Sequence, residues 1–546
     1  MARLVARSAG AQGAAFDNCA AGYVRAQIWG NYGDCCKTLH RRSRRLEVLL
    51  RRRAIRIETV NNIVLASVRQ PGEGAVSDLH IVNGVVVRIS TGGGIPGDAR
   101  VVSQDGRYVI PGLWDEHVHM TQGALHSNRP DLSAAASAQE AAAAVGRYVH
   151  DADPAVTTVG VGFRDALWPD VPTLEMLDAA TGTQPTALIS HDLHCVWLNS
   201  AAARRYGVEV GAGGLLREEP AFALTRELGK LPDSVVDGWV RDAAEAACAR
   251  GVVGIVDFEM TWNRDVWLRR IAGGFNSMRV DAGVYPEDLE RAHNDGMRTG
   301  LELDGGEGLL RAGPLKVLID GSLNTRTAFC VDPYPDGGYG LLTVSFEDLL
   351  SLLRRAQEYG FVPAVHAIGD GANQVALDAF ERARIGGRIE HAQFVRTEDL
   401  ARFGPLGVTA SVQPVHALDD RDAAESNWGA RTQRAFPLRS LLEAGATLAL
   451  GSDAPVAPLD PWAAMSAATT RSRQDARGPW HPQECISRRQ ALAASARGRS
   501  RIRAGDPADL VVLDADPLAS PDAVFAAMPV AATLLAGRFT YDGGLA

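Results

Sequence analysis

Between residues 109 and 453, short apolar runs rich in β-branched side chains alternate with longer stretches of helical periodicity. This alternation restricts the fold more than any other feature, because strands joined by helical crossovers pair in parallel and need cover on both faces. The runs lie at 109–119, 251–258, 278–284, 315–320, 362–366, 388–391, 408–413 and 447–453, eight in all. Eight is the number that a (β/α)8 TIM barrel requires. The count holds if residues 121–240 are an insertion after the first strand. That insertion has strand candidates of its own at 157–163 and 186–190, and an alanine-rich helix near 133–147.

The two ends of the chain read differently. Residues 63–68 form a strand candidate, and 79–89 reads as a hairpin turning at Asn83-Gly84, a pair that accepts positive φ. Residues 508–513 and 532–541 answer them from the far end. Strands too short to stand alone at both termini predict one small β-sandwich from 56–111 plus 501–546, with the barrel over 112–500. Residues 1–55 hold three of the seven cysteines and the basic runs 41–45 and 51–53. A basic arm and a transit peptide are both readings of this stretch; a poorly ordered extension outside the fold is the preferred one.

Composition excludes several classes of function. A net charge of -9 argues against a general nucleic-acid binder. Seven scattered cysteines give neither a disulfide framework nor a cysteine-rich zinc motif. No apolar run reaches the roughly 18 residues of a membrane span, so no membrane partner is expected and the cytoplasm is the default location. Self-association into a homo-oligomer is compatible with all of this.

Chemistry collects at the ends of the apolar runs. In a barrel of this kind reactive side chains sit at the C-terminal ends of the strands. Those ends carry His117 and His119, then Lys316, His366, His391 and Asp453. Alternation along a strand points residues i and i+2 the same way, so His117 and His119 can grip one ion. Imidazole and carboxylate ligands suit catalytic zinc. Lys316 is one of only three lysines in the chain, and an ammonium beside a dication would be repelled. Carbamylation by CO2 would convert it into a carboxylate able to bridge two ions.

These residues resemble the amidohydrolase superfamily, in particular the subgroup containing N-substituted formamide deformylases. The matching segments are Pro111-Gly-Leu-Trp-Asp-Glu-His-Val-His119, His194-Cys-Val-Trp-Leu-Asn-Ser200 and the stretch from Lys316 to Ala328. Val365-His-Ala-Ile-Gly-Asp-Gly-Ala372, Arg388-Ile-Glu-His-Ala-Gln393, Ser411-Val-Gln-Pro-Val-His416 and Gly451-Ser-Asp-Ala-Pro455 follow in the same order. The resemblance implies one metal on His117, His119 and Asp453, a bridging carbamate on Lys316, and a second metal on His366 and His391. It departs from the family at 491–506, a shorter link without the customary threonine, and the first 55 residues have no counterpart.

The implied activity is metal-dependent hydrolysis of a non-peptide carbon–nitrogen bond in a small-molecule amide, with one or two divalent ions, zinc first. Asp453 would move the proton from water to the leaving nitrogen, and His194 would stabilise the oxyanion. Arg326 and Gln413 are candidates for substrate contact, with His191, His416 and Asp420 behind them. Asp115 and Glu390 adjoin ligands in sequence and are candidates for supporting them. Trp168, Trp197 and Trp262 would either floor a pocket or fill a core. Two rivals remain. A mononuclear zinc deaminase needs a glutamate soon after the fifth-strand histidine, where this chain has Ala-Ile-Gly-Asp-Gly after His366. A catalytically inactive barrel would have lost ligands.

Overall fold

The computed structural model describes residues 62–92, 99–149, 156–473 and 477–545, so the extension expected over 1–55 lies outside the described residues. Five strands open the described chain: β1 (Asn62–Arg69), β2 (Val76–Val82), β3 (Val85–Ser90), β4 (Arg100–Ser103) and β5 (Tyr108–Pro111). Asn83 and Gly84 take φ values of 50° and 79°, the left-handed pair that lets β2 turn directly into β3. The last three strands, β18 (Leu510–Leu513), β19 (Val530–Leu535) and β20 (Arg538–Asp542), join them in one sheet. The seam between the two termini is β5 against β18, antiparallel, with Val511 opposite Ile110. Alternate residues of both ends, among them Ile63, Leu65, Leu79, Leu510 and Leu534, pack in a shared apolar core.

The barrel consists of β6 (Leu113–Val118), β11 (Val252–Asp257), β12 (Arg279–Val284), β13 (Leu310–Leu318), β14 (Pro363–Ala367), β15 (Gly387–His391), β16 (Val408–Val412) and β17 (Thr447–Leu450). They pair in parallel in that order. Closure between the last strand and the first is made beyond the end of β17. There Asp453 N donates to His117 O at 2.7 Å and His119 N to Ala454 O at 2.8 Å. The seam of the ring therefore lies among residues expected to be ligands.

The apolar run 109–119 is two strands rather than one. It breaks at Gly112, with β5 in the terminal sheet and β6 in the barrel. A side chain at Gly112 would place its Cβ 2.5 Å from a Val253 methyl, so only glycine lets the chain step from one sheet to the other here.

The helices cover the outside of the ring. Phe346–Tyr359 shows why such segments are helical: Leu349, Leu353 and Ala356 recur at spacings of four and three and are buried. Its N-cap Ser345 accepts from Asp348 N, and Gly360 ends it with φ 78°. Residues between β6 and β11 form a separate layer, a sheet of β7 (Thr158–Phe163), β8 (Thr186–Ser190), β9 (Cys195–Leu198) and β10 (Leu215–Arg217). The first two match the expected strands. Among the described residues no helix is long and apolar enough to cross a membrane.

Candidate active site

The C-terminal mouth of the barrel brings together all six side chains read from the strand ends. Asp453 Oδ1 lies 3.4 Å from both His117 Nε2 and His119 Nε2. Lys316 Nζ is 3.1 Å from His117 Nε2. The rings of His366 and His391 meet edge to face with centroids 4.5 Å apart, and those of His117 and His391 at 5.1 Å. Two of these residues depart from strand backbone: His391 has φ 75° and Asp453 φ 59°. Non-glycine residues rarely adopt such values, and they concentrate at functional sites. At His391 the kink matters directly. Glu390 and His391 are neighbours on one strand, yet both touch the ring of His117.

Glu390 and Asp115 hold this arrangement from behind. Glu390 Oε2 accepts from His117 Nδ1 at 2.7 Å, which leaves the Nε2 lone pair of His117 facing Asp453. Arg388 Nε in turn donates to Glu390 Oε1 at 2.8 Å. Asp115 Oδ1 accepts from Ser452 N at 2.9 Å and so anchors the turn that carries Asp453. Asp320 does the same for the turn after His366, accepting from Gly369 N at 2.8 Å and Ile368 N at 3.1 Å.

Burial sets the charge states. It lowers the pKa of His117 to about 4, helped by the Lys316 ammonium and opposed by Asp453 and Glu390. His366 and His391 are pushed well below the ordinary imidazole value, again by burial first. The three rings are therefore neutral at pH 7, the form that binds metals. Burial would raise Asp453, but His117, His119 and His391 outweigh it and hold the carboxyl well below its usual range. Lys316 is depressed to about 8 by burial, against the pull of Glu390 and Asp453.

These residues floor a cavity of about 520 Å³. Its walls include Leu125, Phe222, Met260 and Tyr285, with His194, His416 and Asp420 also facing it. His194 comes from the insertion, between β8 and β9. Its Nδ1 lies 2.8 Å from Glu218 Oε2, and Thr325 and Thr327 donate to the other Glu218 oxygen at 2.9 and 2.8 Å. Burial disfavours charge on His194, but the bonded Glu218 and nearby Asp192 outweigh it, so its pKa is raised. Sequence reading missed Glu218. It stands 24 positions from His194 on backbone with φ 53°, and no local pattern announces that pairing.

Other expected residues lie elsewhere. Arg326 does not face the cavity: its guanidinium bonds Asn427 Oδ1 at 3.1 Å and pairs with Asp336 at 3.2 Å near the surface. Gln413 is buried behind His117, its amide 3.5 Å from Nδ1, and Gln393 takes the place in the wall. His191 lies against Arg164 and Asp419 in a small neighbouring cleft. Trp168 and Trp197 pack in the core of the insertion, and Trp262 packs under Arg291, so none floors the pocket.

Two trios of potential ligand atoms, His117–His119–Asp453 and His391–His416–Asp453, each lie within 4.8 Å of one another. Nδ1 of His119, Nδ1 of His391 and Nε2 of His416 are shielded from solvent without a hydrogen-bond partner. Buried polar atoms are otherwise almost always paired. Unpaired ring nitrogens around an ionised carboxylate fit a divalent cation.

A parallel barrel with such a cluster at its C-terminal mouth defines a metal-dependent hydrolase of the barrel type. The chain belongs to the amidohydrolase family, whose profile matches residues 100–541. It is 30% identical to Protein LONG AFTER FAR-RED 3 of Arabidopsis thaliana, over 80% of this chain and 83% of that one. It is 27% identical to the N-substituted formamide deformylase of Arthrobacter pascens, over 82% and 90% of the two chains. Among solved structures, an uncharacterized metal-dependent hydrolase from Pyrococcus furiosus superposes with TM-score 0.66 at 26% identity, covering 84% of this chain and all of that one.

Proposed function

We propose that the protein hydrolyses a non-peptide carbon–nitrogen bond of a small-molecule amide, with zinc as its divalent cation. The observation that carries this reading is the convergence of His117, His119, Asp453 and a buried, partly neutral Lys316 on the floor of one cavity. His117, His119 and Asp453 would hold one ion, and His366 with His391 a second. Lys316, carbamylated by CO2, would lie between them. A bound divalent cation supplies Lewis acidity and makes hydroxide available near neutral pH.

The remaining steps fall to side chains of this chain. Asp453, ionised and open to the cavity, accepts the proton of the attacking water and delivers it to the leaving nitrogen. Glu390 fixes the His117 ring so that its Nε2 lone pair stays turned to the centre. His194 faces the cavity with its Nδ1 tied to Glu218 and donates to the carbonyl oxygen as negative charge develops there. The apolar walls around Phe222 and Met260 limit water and favour substrates with an apolar substituent. The deaminase alternative lacks its proton shuttle, since the first acidic residue after His366 is Asp370, which is buried and paired with Arg434 at 3.1 Å.

The test is a screen of N-substituted formamides, N-acyl amines and cyclic amides on chelated and zinc-loaded protein. Turnover is expected only with metal, and is expected to vanish in His117→Ala and Asp453→Asn with the fold intact. Full turnover in a metal-free sample refutes the reading.

A further inference from the structure

We infer that Gln393, Asn324 and Asp420 form a subsite for a protonated amine, so that the substrate ends in an ammonium group on one side and an apolar group on the other. This rests on the hydrolase reading above and names the substrate class which that reading leaves open. The three residues follow different barrel strands, Asn324 after β13, Gln393 after β15 and Asp420 after β16, and all three line the cavity. Asp420 Oδ1 accepts from Asn324 Nδ2 at 3.2 Å, and its Oδ2 accepts from Gln393 Nε2 at 3.3 Å. A carboxylate only accepts, so it turns both NH2 groups toward itself and both carboxamide oxygens away. Gln393 is 2% exposed, and among the described residues no group donates to its Oε1. Buried carbonyl oxygens are rarely left without a donor, and here the donor comes from whatever fills the cavity.

Charge points the same way. Asp192 and Asp420 both line this part of the wall, but they are not equally free. Asp192 is engaged by the hydroxyls of Ser190 at 2.6 Å and Ser322 at 3.0 Å. Among the described residues Asp420 forms no ion pair, and its two side-chain donors are neutral amides at long distance. Arg164 lies in the small cleft behind, against Asp419 at 3.7 Å. The cations of the cavity wall come from other elements, Arg226 and Lys230 in the insertion, Arg269 and Arg270 on the helix after β11, and Lys316 in the floor. An ammonium carries three donors, and Asp420 with the two carboxamide oxygens offers three acceptors. Leu125, Phe222, Val236 and Met260 line the same cavity and take the apolar end.

The experiment reads binding by calorimetry at pH 7 on the full zinc-loaded chain, with sulfonamides as amide-shaped probes that are not hydrolysed. The neutral parent is N-butylhexane-1-sulfonamide. N-(3-aminopropyl)hexane-1-sulfonamide and N-butyl-5-aminopentane-1-sulfonamide each replace one of its terminal methyl groups by ammonium. At least one of these amines is expected to bind about 10-fold or more tightly than the parent, the worth of a hydrogen bond to a charged group. Gln393→Met keeps the bulk and removes the acceptor, and is expected to cut that preference by about threefold or more. Asp420→Asn removes the charge and is expected to abolish it. Melting curves check that the variants fold, and Asn324→Leu replaces either one that does not. Two amines bound no tighter than the parent overturn the inference, as does a preference unchanged in the folded variants. Because no turnover is read, a preference lost in the variants stands even if the amide screen finds no hydrolysis. Hydrolysis without such a preference overturns this inference alone.

Discussion

Replacing Lys316 by methionine should make the metal-free protein more stable while abolishing its function. The side chain is 2% exposed, with its amine 3.1 Å from His117 Nε2 and 4.7 Å from the centre of the Phe258 ring. Burial lowers its pKa from 10.5 to about 8, despite Glu390 and Asp453. At 1.36 kcal/mol per tenfold change in proton affinity, that depression is a cost of ~3 kcal/mol to the folded state. Because the folded pKa is the lower one, the unfolded chain binds more protons between pH 8 and 10.5, and stability rises with pH across that window. The cost is fully present below about pH 8 and gone above 10.5. Methionine has similar bulk and no charge, so Lys316→Met should raise the melting temperature of chelated protein at pH 7, and the advantage should shrink toward pH 10. The same depression leaves about one amine in ten neutral at pH 7, roughly 300-fold more than for an exposed lysine, which is what reaction with CO2 requires. With zinc present the order should reverse, because only the wild-type protein gains the stabilisation of a fully ligated site. Melting curves of both proteins at pH 7 and 10, with and without zinc, make the comparison. A variant no more stable than wild type without metal, with a gap independent of pH, refutes the reasoning.

Glu390→Gln replaces the carboxylate that fixes His117 with a neutral amide, and zinc affinity should fall 10–100-fold in a competitive titration. Glu218→Gln removes the charge that raises the His194 pKa, so the imidazolium fraction at pH 7 drops. There kcat/KM should fall on the order of 10-fold, the gap narrowing as pH is lowered and His194 is protonated in both proteins. Gly112→Ala sets a Cβ 2.5 Å from Val253 and should cost about 1–3 kcal/mol, read as a lower melting temperature.

The candidate site residues at strand ends were legible because two local rules agree. A buried parallel strand is written as an apolar run, and its last residues face the mouth of the barrel. His117, His366, His391 and Asp453 could be picked out without knowing what they touch. Asp115 and Glu390 could be named as supports only because they adjoin such residues in sequence, and what they hold could not be read. Alternation argued that Glu390 faces away from its neighbour His391, and the left-handed backbone at His391 brings both to the His117 ring. The split of 109–119 into β5 and β6 was equally hidden, since an apolar run looks the same whichever sheet it joins. Arg326 failed as a pocket residue because its own loop pairs it with Asp336 at the surface.

By itself, then, the sequence determined the number and order of barrel strands, the turn at Asn83-Gly84 and the histidine, lysine and aspartate side chains at the strand ends. All of these follow from periodicity and φ preferences that operate over a few residues. The tertiary structure alone decided which lone pairs are free. His117 owes the turn of its Nε2 toward Lys316 and Asp453 to Glu390, 273 positions away, and His194 owes its raised pKa to Glu218, 24 positions away across the insertion. Hydrogen-bond geometry and desolvation depend on distance in space, and residues far apart along the chain meet at the barrel mouth only because the ring has closed.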